Sequence, residues 1–565
     1  MRTATFLLLL SASPVALQAQ NDVVLNAMRD EMARSMKQLS IESGDKPYFI
    51  SYRIVDSETT SVAAAFGALN HSNANRSRRL TVEVRVGDYK LDNSHFFSFN
   101  FDMGTRLQIF NGTTSLPLED DYKELRRQLW LATDATYKKA VEDLSKKRGL
   151  LQSESHADDP DDFSKEDPVT TSFELPAVKI DIPGRETEAR ALSAVFRQMP
   201  GIYTSRVLFN TFNTYTRYLT SEGTTYTRRE PDLVAEVDAG TQATDGTQLN
   251  DLFWIHGRSQ AEMPSRQDLE ARLRTMAQTL TQLRDAPTLP NYNGPVLVEG
   301  EAAPELIRYA ILPNLTGSSR TISSMPGIVM NNQNQPQENP YLDKIGGRVL
   351  PDFLSVTDNP LIDQYQGHRL DGFSKVDEDG MLPRETRLIE NGILKTLLTT
   401  REPVRGIAHT TGSRHIGQAS PTNVIVTAAN GLSAADLRVK FLALVKQRNL
   451  PFGIVVRKLS SANNAQLAFK VYPDGHEEPI RSIQFFGLNA NSFRDIIAAS
   501  SEPNFLTMRY VPPRNGQFPV ASEGDEIFTP VSMVVPSLLF EDATMRRNRA
   551  AAPNPPVAGH PFFDK

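Results

Sequence analysis

The sequence predicts an α+β protein with an N-terminal α+β domain of two related sheet-helix halves and a C-terminal β-rich, barrel-like domain with a few helices. Three observations support this. Apolar residues recur at helical spacing over 21–40 and 120–147. Residues 80–86 alternate apolar and polar side chains, which is typical of a sheet with one solvated face. After residue 347, turn signals recur roughly every 10 to 15 residues, with strand-like runs between them.

Composition excludes several kinds of chemistry. The 565 residues include no cysteine, so disulfides, thiolate metal sites and a cysteine nucleophile are excluded. The 61 Lys and Arg residues nearly balance the 67 Asp and Glu residues, which leaves no basic surplus for a polyanion, and we expect no nucleic-acid partner.

The first 19 residues are typical of a signal peptide. Arg2 precedes an apolar run at 6–10, and small residues up to Ala19 suit cleavage after that residue. No cysteine follows for lipid attachment, and no later stretch reaches the ~20 apolar residues of a membrane span. We therefore expect an exported protein, periplasmic or extracellular, with no membrane span.

The N-terminal domain is assigned to 20–290. After the helix at 21–40, the first half should contain strands at 48–55, 59–66 and 80–89 and a helix at 120–147. The second half should repeat this order more loosely. Its predicted elements are strands at 178–182, 207–218, 224–227 and 233–238, and helices at 186–198 and 265–283. Between the halves, the acidic run 153–167 is interpreted as a solvated linker or lid.

The C-terminal domain is assigned to 291–544, followed by a disordered tail at 545–565. A strand at 295–298 leads into a helix at 301–312, and further helices are expected at 433–448 and 491–499. The clearest hairpin spans 386–398, where Asn391 and Gly392 supply the positive φ angles of a type I′ turn.

Local catalytic signatures are absent from the sequence: it has no GxSxG, P-loop, GxGxxG or HExxH motif. His409 and His415 are six residues apart, a spacing that fits neither one helix face nor one strand face, so we expect two loop histidines with no shared metal. Glu299, Glu301 and Glu305 cluster at the strand-helix junction, where they could bind a hard cation. Acidic residues also simply favour a helix N-terminus, and this second interpretation is preferred.

From this junction onward the sequence resembles the TldD/PmbA family of metallopeptidases, formerly described as modulators of DNA gyrase. The resemblance covers about 290–510 and extends more loosely over the N-terminal domain. It rests on six segments in family order: 347–360, Asp371-Gly-Phe, Asp377-Glu-Asp-Gly, the hairpin 388–394, Thr411-Gly-Ser-Arg and Pro421-Thr-Asn.

For active members, the resemblance implies a zinc site in which a helix carries HExxxH and a downstream cysteine is the third protein ligand. Here the matching segment reads Gly300-Glu-Ala-Ala-Pro-Glu305. Glu301 occupies the general-base position, whereas Gly300 and Glu305 stand where the histidines would be. Because zinc needs about three protein ligands to stay bound while it activates water, the chain resembles the metal-free PmbA or TldE type, and no cofactor is expected.

The leading hypothesis is an exported, catalytically silent subunit or peptide-binding protein, a homo- or heterodimer with a TldD-type homologue. By resemblance, it would bind an extended peptide at a sheet edge. Candidate residues of the cleft are Leu350, Pro351, Leu388, Ile389, Asn391 and Gly392. The alternative is an active peptidase with an unconventional metal site built from Glu299, Glu301, Glu305, His409 or His415, in which case zinc would be bound. A structural assembly protein is a third, weaker possibility.

Overall fold

The computed structural model describes residues 22–42, 44–97, 112–152, 159–319, 341–510 and 529–548, together with 322, 323, 339, 554, 556 and 558–563. The predicted signal peptide lies outside these residues. The described helices are α1 (Val23–Gln38), α2 (Tyr122–Leu151), α3 (Ile182–Ser193), α4 (Arg266–Asp285), α5 (Ala302–Ala310) and α6 (Ala434–Gln447). No helix within the described ranges has the length and apolar character needed to cross a bilayer.

One antiparallel-rich sheet forms the N-terminal domain. Its strands are β1 (Pro47–Ala65), β2 (Ala68–Val86), β4 (Thr113–Ser115), β5 (Thr170–Glu174), β6 (Thr204–Thr220), β7 (Thr225–Gln242) and β8 (Gln248–Gly257). The order is β4-β2-β1-β6-β7, with β5 and β8 both paired to β7. Each half contributes a long hairpin and two helices, and the hairpins join through β1 and β6. This agrees with the predicted two-half architecture.

The two faces of this sheet differ in polarity. Ile50, Tyr52 and Ile54 of β1 pack with α1 and α2 in one apolar cluster, while Val62 and Ala64 pack with α3 and α4 in another. The alternate residues Arg53 and Val55 point to the opposite face. The predicted polar face exists, but part of it faces the C-terminal domain rather than bulk solvent.

The C-terminal domain is built on a second, 11-stranded sheet. Its strands are β9 (Asn291–Val298), β11 (Leu354–Asp358), β14 (Thr386–Glu390), β15 (Ile393–Leu394), β18 (Asn423–Ala428), β19 (Gly453–Leu459), β20 (Asn464–Val471), β21 (Glu477–Ile480), β22 (Ile483–Phe485), β23 (Ile496–Tyr510) and β24 (Thr529–Arg547). Because β9 pairs with both β19 and β24, the ring β9-β19-β20-β22-β24 closes into a five-stranded barrel. The barrel-like domain is thus confirmed.

Short two-stranded pairings complete the described strands. They are β3 (Phe96–Phe97) with β10 (Ile322–Ser323), β12 (Gln364–Tyr365) with β13 (His368–Arg369), and β16 (Arg414–His415) with β17 (Gln418–Ala419). The β14–β15 hairpin has the predicted turn, with φ of 49° at Asn391 and 77° at Gly392.

Several predicted elements are wrong. Residues 178–181 do not form a strand, because the Val178 N–H and C=O both bond to the side chain of Asn213. The helix expected at 491–499 is a 3₁₀ turn over Ala490–Asp495 followed by β23, since Ile496 pairs with Phe540 of β24. The predicted disordered tail starts too early, because 545–547 are the last residues of β24. Farther along, Phe562 packs 5.5 Å from Phe66.

The acidic run 153–167 is only partly solvated where it is described, since Asp161 and Lys165 are exposed but the residues between them turn inward. Residues 153–158 lie outside the described ranges, but Phe163 is 2% exposed. Its ring lies between two guanidinium groups, 3.9 Å from that of Arg85 on β2 and 4.0 Å from that of Arg401 in the C-terminal domain. Asp162 accepts a hydrogen bond from the Lys147 ammonium at 2.6 Å. This part of the run therefore joins the domains as a buried wedge, rather than covering them as a solvated lid.

Replacing Phe163 with Ala should lower the free energy of unfolding by about 3 kcal/mol, because it removes a buried ring and both cation–π contacts. Urea denaturation monitored by circular dichroism measures the change. The matched control is Phe486→Ala, at a ring that is 51% exposed and stacks on Arg546, where about 1 kcal/mol or less is expected. Equal effects of the two substitutions would contradict the role given to Phe163.

Candidate functional site

The junction between β9 and α5 holds the three glutamates found in the sequence. At its centre, Gly300 has a φ of 61°, in the left-handed region, and its N–H donates to the Asn504 side chain at 3.0 Å. A Cβ at this position would lie 3.3 Å from the carbonyl oxygen of Arg457. A side chain here would therefore be both strained and crowded.

Glu301 is engaged by a lysine ammonium. The Lys458 Nζ on β19 lies 3.0 Å from the Glu301 carboxylate and 2.8 Å from that of Asp251 on β8. It also donates to the Leu252 carbonyl at 3.0 Å. Burial alone would lower the pKa of Lys458. The nearby carboxylates of Asp251 and Glu301 have the larger combined effect, so the pKa of Lys458 is raised. The lysine remains a cation and links the two domains.

Glu305 lies deeper, one turn along α5. It is 8% exposed, and its carboxyl accepts a hydrogen bond from the Leu459 N–H at 2.6 Å. Burial raises the pKa of Glu305 to about 8, so the group is protonated at neutral pH. A neutral buried carboxylic acid is a poor metal ligand.

Glu299 faces a different set of partners. It accepts a hydrogen bond from Arg457 Nε at 2.7 Å, and the same guanidinium bonds to Glu477 at 2.9 Å. Glu299, Glu301 and Glu305 are therefore close in sequence but are bound by three separate donors: a guanidinium, an ammonium and a main-chain N–H.

These residues do not fit zinc. Position 300 has no side chain to donate, Glu305 is protonated, and the Glu301 carboxylate is bound by an ammonium. Within the part of the chain that the structure describes, no three histidine, aspartate or glutamate side chains are grouped to hold a metal ion. The donor set of the junction suits an internal ammonium rather than a divalent ion.

The two loop histidines have unlike surroundings. His409 is 78% exposed, with its nearest carboxylate, Glu166, at 3.8 Å. His415 on β16 is half-buried, and desolvation lowers its pKa to about 4, so its ring is neutral. His415 lines a cavity whose lining includes none of the junction glutamates.

The candidate peptide-cleft residues are mostly enclosed. Leu350, Leu388 and Ile389 are at most 1% exposed and belong to the main apolar core. The Gly392 N–H donates to the Leu354 carbonyl, and Asn391, which is exposed, donates its N–H to Ser355. Pro351 is half-buried. The hairpin at these positions thus uses its main-chain groups inside the domain, and a peptide cleft here stays a prediction.

Sequence reasoning missed Lys458 and Asp251. Asp251 lies on an edge strand of the other domain, and Lys458 lies in an otherwise ordinary barrel strand. Lys458 contacts Asp251 across the domain boundary and Glu301 far from it in sequence, so no local pattern points to this set.

The raised pKa of Glu305 predicts a pH-dependent effect of Glu305→Gln. The unfolded chain loses this proton near its ordinary pKa of 4.5 and the folded chain near 8, so the parent protein loses stability as pH rises across this window. Glutamine cannot ionise, and its carbonyl can still accept the Leu459 N–H. The variant should therefore match the parent at pH 4 and exceed its free energy of unfolding by on the order of a few kcal/mol at pH 8.

Urea denaturation at the two pH values tests this. The control is Glu299→Gln, which removes an ion pair and should not gain stability as pH rises. A Glu305→Gln variant less stable than the parent at pH 8 would refute a neutral, buried carboxyl.

Comparisons with known proteins concern the C-terminal domain and the overall fold. Residues 292–547, which span β9 to β24, match the family model described as PmbA/TldA metallopeptidase C-terminal domain. No curated protein matches the sequence.

Three solved structures share the fold, each with a TM-score of 0.55 over 92% of this chain. They are a protein of Thermotoga maritima described as a modulator of DNA gyrase (13% identity, 99% of that chain), TldE from Thermococcus kodakarensis (12%, 99%) and a Bacteroides thetaiotaomicron protein described as a modulator of DNA gyrase (12%, 98%). By this match, the C-terminal domain at residues 292–547 belongs to the metallopeptidase-related PmbA/TldA family, and the chain as a whole shares the fold of the three solved structures.

Proposed function

We propose that this chain is an exported, catalytically silent member of the TldD/PmbA family that binds peptides and acts as the non-catalytic subunit of a peptidase complex. The observation that carries the silent role is the ion pair between Lys458 and Glu301. A general base must accept a proton from the attacking water. A carboxylate held by an ammonium, beside a position with no metal ligand, is poorly suited to that task.

Export is proposed from the N-terminal sequence alone, since Arg2, the apolar run at 6–10 and Ala19 form a signal-peptide pattern.

Peptide binding is proposed by resemblance, with an extended peptide added to a sheet edge. Short β15 ends one side of the C-terminal sheet, although Arg348 bridges to Ile393 within it. Strands β5 and β8 are edges of the N-terminal sheet, since among the described strands each pairs with β7 alone. Main-chain pairing at an edge would give affinity with little dependence on peptide sequence.

The alternative of an active peptidase gains no support from the geometry. Its five candidate ligands lie in different places. Glu299 pairs with an arginine, Glu301 pairs with a lysine, and Glu305 is buried and protonated. His409 lies on an exposed loop, and His415 lines a separate cavity.

Metal analysis and hydrolysis assays separate the two proposals. We expect the purified mature chain, dialysed against zinc, to retain well below one equivalent by inductively coupled plasma mass spectrometry. Fluorogenic peptides should be hydrolysed no faster than in buffer, and Glu301→Gln should change neither result. Stoichiometric zinc together with hydrolysis that Glu301→Gln abolishes would overturn the silent role.

The partner is tested by affinity purification of the tagged chain from its own source. We expect a homologue that carries HExxxH to copurify, and the reconstituted pair to hydrolyse unstructured peptides faster than the homologue alone. A tagged unrelated exported protein serves as the control. Recovery of this chain alone, together with no peptide binding by fluorescence polarisation, would favour an assembly protein instead.

A further inference from the structure

A polar chamber lies between the two domains, away from the β9–α5 junction. Its volume is about 440 Å³, within the range of roughly 300–1,000 Å³ that is typical of small-ligand sites. The floor is the polar face of the N-terminal sheet, where serine, threonine and arginine side chains of β1, β2, β6 and β7 alternate with the apolar residues packed against the helices.

The roof comes from segments that carry the family resemblance. Asp371-Gly-Phe373, Glu378 of the acidic turn and Thr422 all line the chamber. Several of these residues are held by interactions behind the wall: the Gly372 N–H donates to Asn423, and the Thr422 hydroxyl donates to the buried Asp358 at 2.8 Å. Three of the six family-like segments therefore contribute to this wall, and none of the junction glutamates lines it.

The charges of the lining are unevenly satisfied. Each of its four carboxylates already has a partner. The pairs are Glu378 with Arg53, Glu230 with Arg228, Asp371 with Arg369, and Asp232 with His256. Arg258 has no such carboxylate partner among the described residues. Its guanidinium donates instead to two main-chain carbonyls, those of Asp371 at 3.3 Å and Phe373 at 3.2 Å. A guanidinium without a neutralising carboxylate leaves local positive charge in the chamber.

Two imidazoles, the buried His256 and the half-buried His415, line the same chamber. The side chain of His256 is 2% exposed, and its Nδ1 lies 3.4 Å from Asp232. Its Nε2 has no hydrogen-bond partner among the described residues, and the same holds for Nε2 of His415. Because both Nε2 atoms are enclosed, these imidazoles shape the wall of the chamber. His256 and Arg258 are two residues apart at the end of β8, which places both on one side of the cavity.

We propose that this chamber binds the carboxyl-terminal end of a short polar peptide. The free α-carboxylate pairs with Arg258, and the serine and threonine hydroxyls of the lining solvate the main chain of the peptide. This inference rests on the proposed peptide-binding function and adds to it a site and a chemical preference. A guanidinium forms two parallel, charge-assisted hydrogen bonds with a carboxylate, whereas it binds a neutral carboxamide only weakly.

The test compares two probes on the full mature chain by fluorescence polarisation. Both are fluorescein-labelled Gly-Ser-Ala-Ala, one with a free carboxylate and one with a carboxamide end. The unmodified protein should bind the carboxylate form about tenfold or more tightly than the amide. Arg258→Gln should remove that difference by weakening the carboxylate probe alone, and Arg258→Lys should restore part of it.

Arg229→Gln is the matched control, because Arg229 lies on the same sheet, faces Glu174 outside the chamber and is 39% exposed. It should leave both affinities unchanged, and thermal midpoints check that all variants are folded. Equal binding of both probes by the unmodified protein would overturn the chamber proposal while leaving peptide binding standing. Binding of neither probe would overturn both.

Discussion

The arrangement of the domains depends on a buried stack in which the Phe163 ring lies between the guanidinium groups of Arg85 and Arg401. Both arginines are at most 2% exposed. Removing two such charges from water costs several kcal/mol unless each is paired. The structure pairs Arg85 with Glu83, Asp92 and Glu402, and Arg401 with Glu222. Two of these pairs, Arg85–Glu402 and Arg401–Glu222, cross between domains, so separation would leave buried charges uncompensated.

The Lys458 junction and the chamber both lie on this boundary. Lys458 of the barrel forms an ion pair with Asp251 of β8. The Arg481 guanidinium lies 2.9 Å from the carboxylate of Asp245, in the turn that precedes β8. The chamber has its floor on one domain and its roof on the other. A small rotation between the domains would change all of these distances together. The charged wedge at Phe163 therefore holds together the two domains whose facing surfaces form the chamber.

Local sequence signals predicted the elements whose structure is decided locally. The helix α6, with its Ser433 cap on Asp436 N–H, and the Asn391-Gly392 turn are such cases. Predictions were wrong where distant partners decided the outcome. The Asn213 side chain, rather than a neighbouring strand, bonds to both main-chain groups of Val178. Ile496 adopts an extended backbone because it pairs with β24, so the predicted helix does not continue through it. The acidic composition of 153–167 predicts a solvated segment. It does not predict the burial of Phe163, because the arginines that contact this ring lie far away in the sequence.

The poor fit of Gly300 and Glu305 to zinc is visible in the sequence, whereas the ammonium that pairs with Glu301 is not. An ammonium has three donors and no acceptor, and Lys458 directs them to Glu301, Asp251 and the Leu252 carbonyl. It therefore supplies the positive charge that holds the junction against β8, yet it cannot polarise a peptide carbonyl as a Lewis acid does. Gly300 reinforces this state, since its left-handed backbone and the nearby Arg457 carbonyl both oppose a ligand side chain. Restoring a metal site would thus require a change of backbone as well as of residues, because in this chain the junction is built as a domain contact.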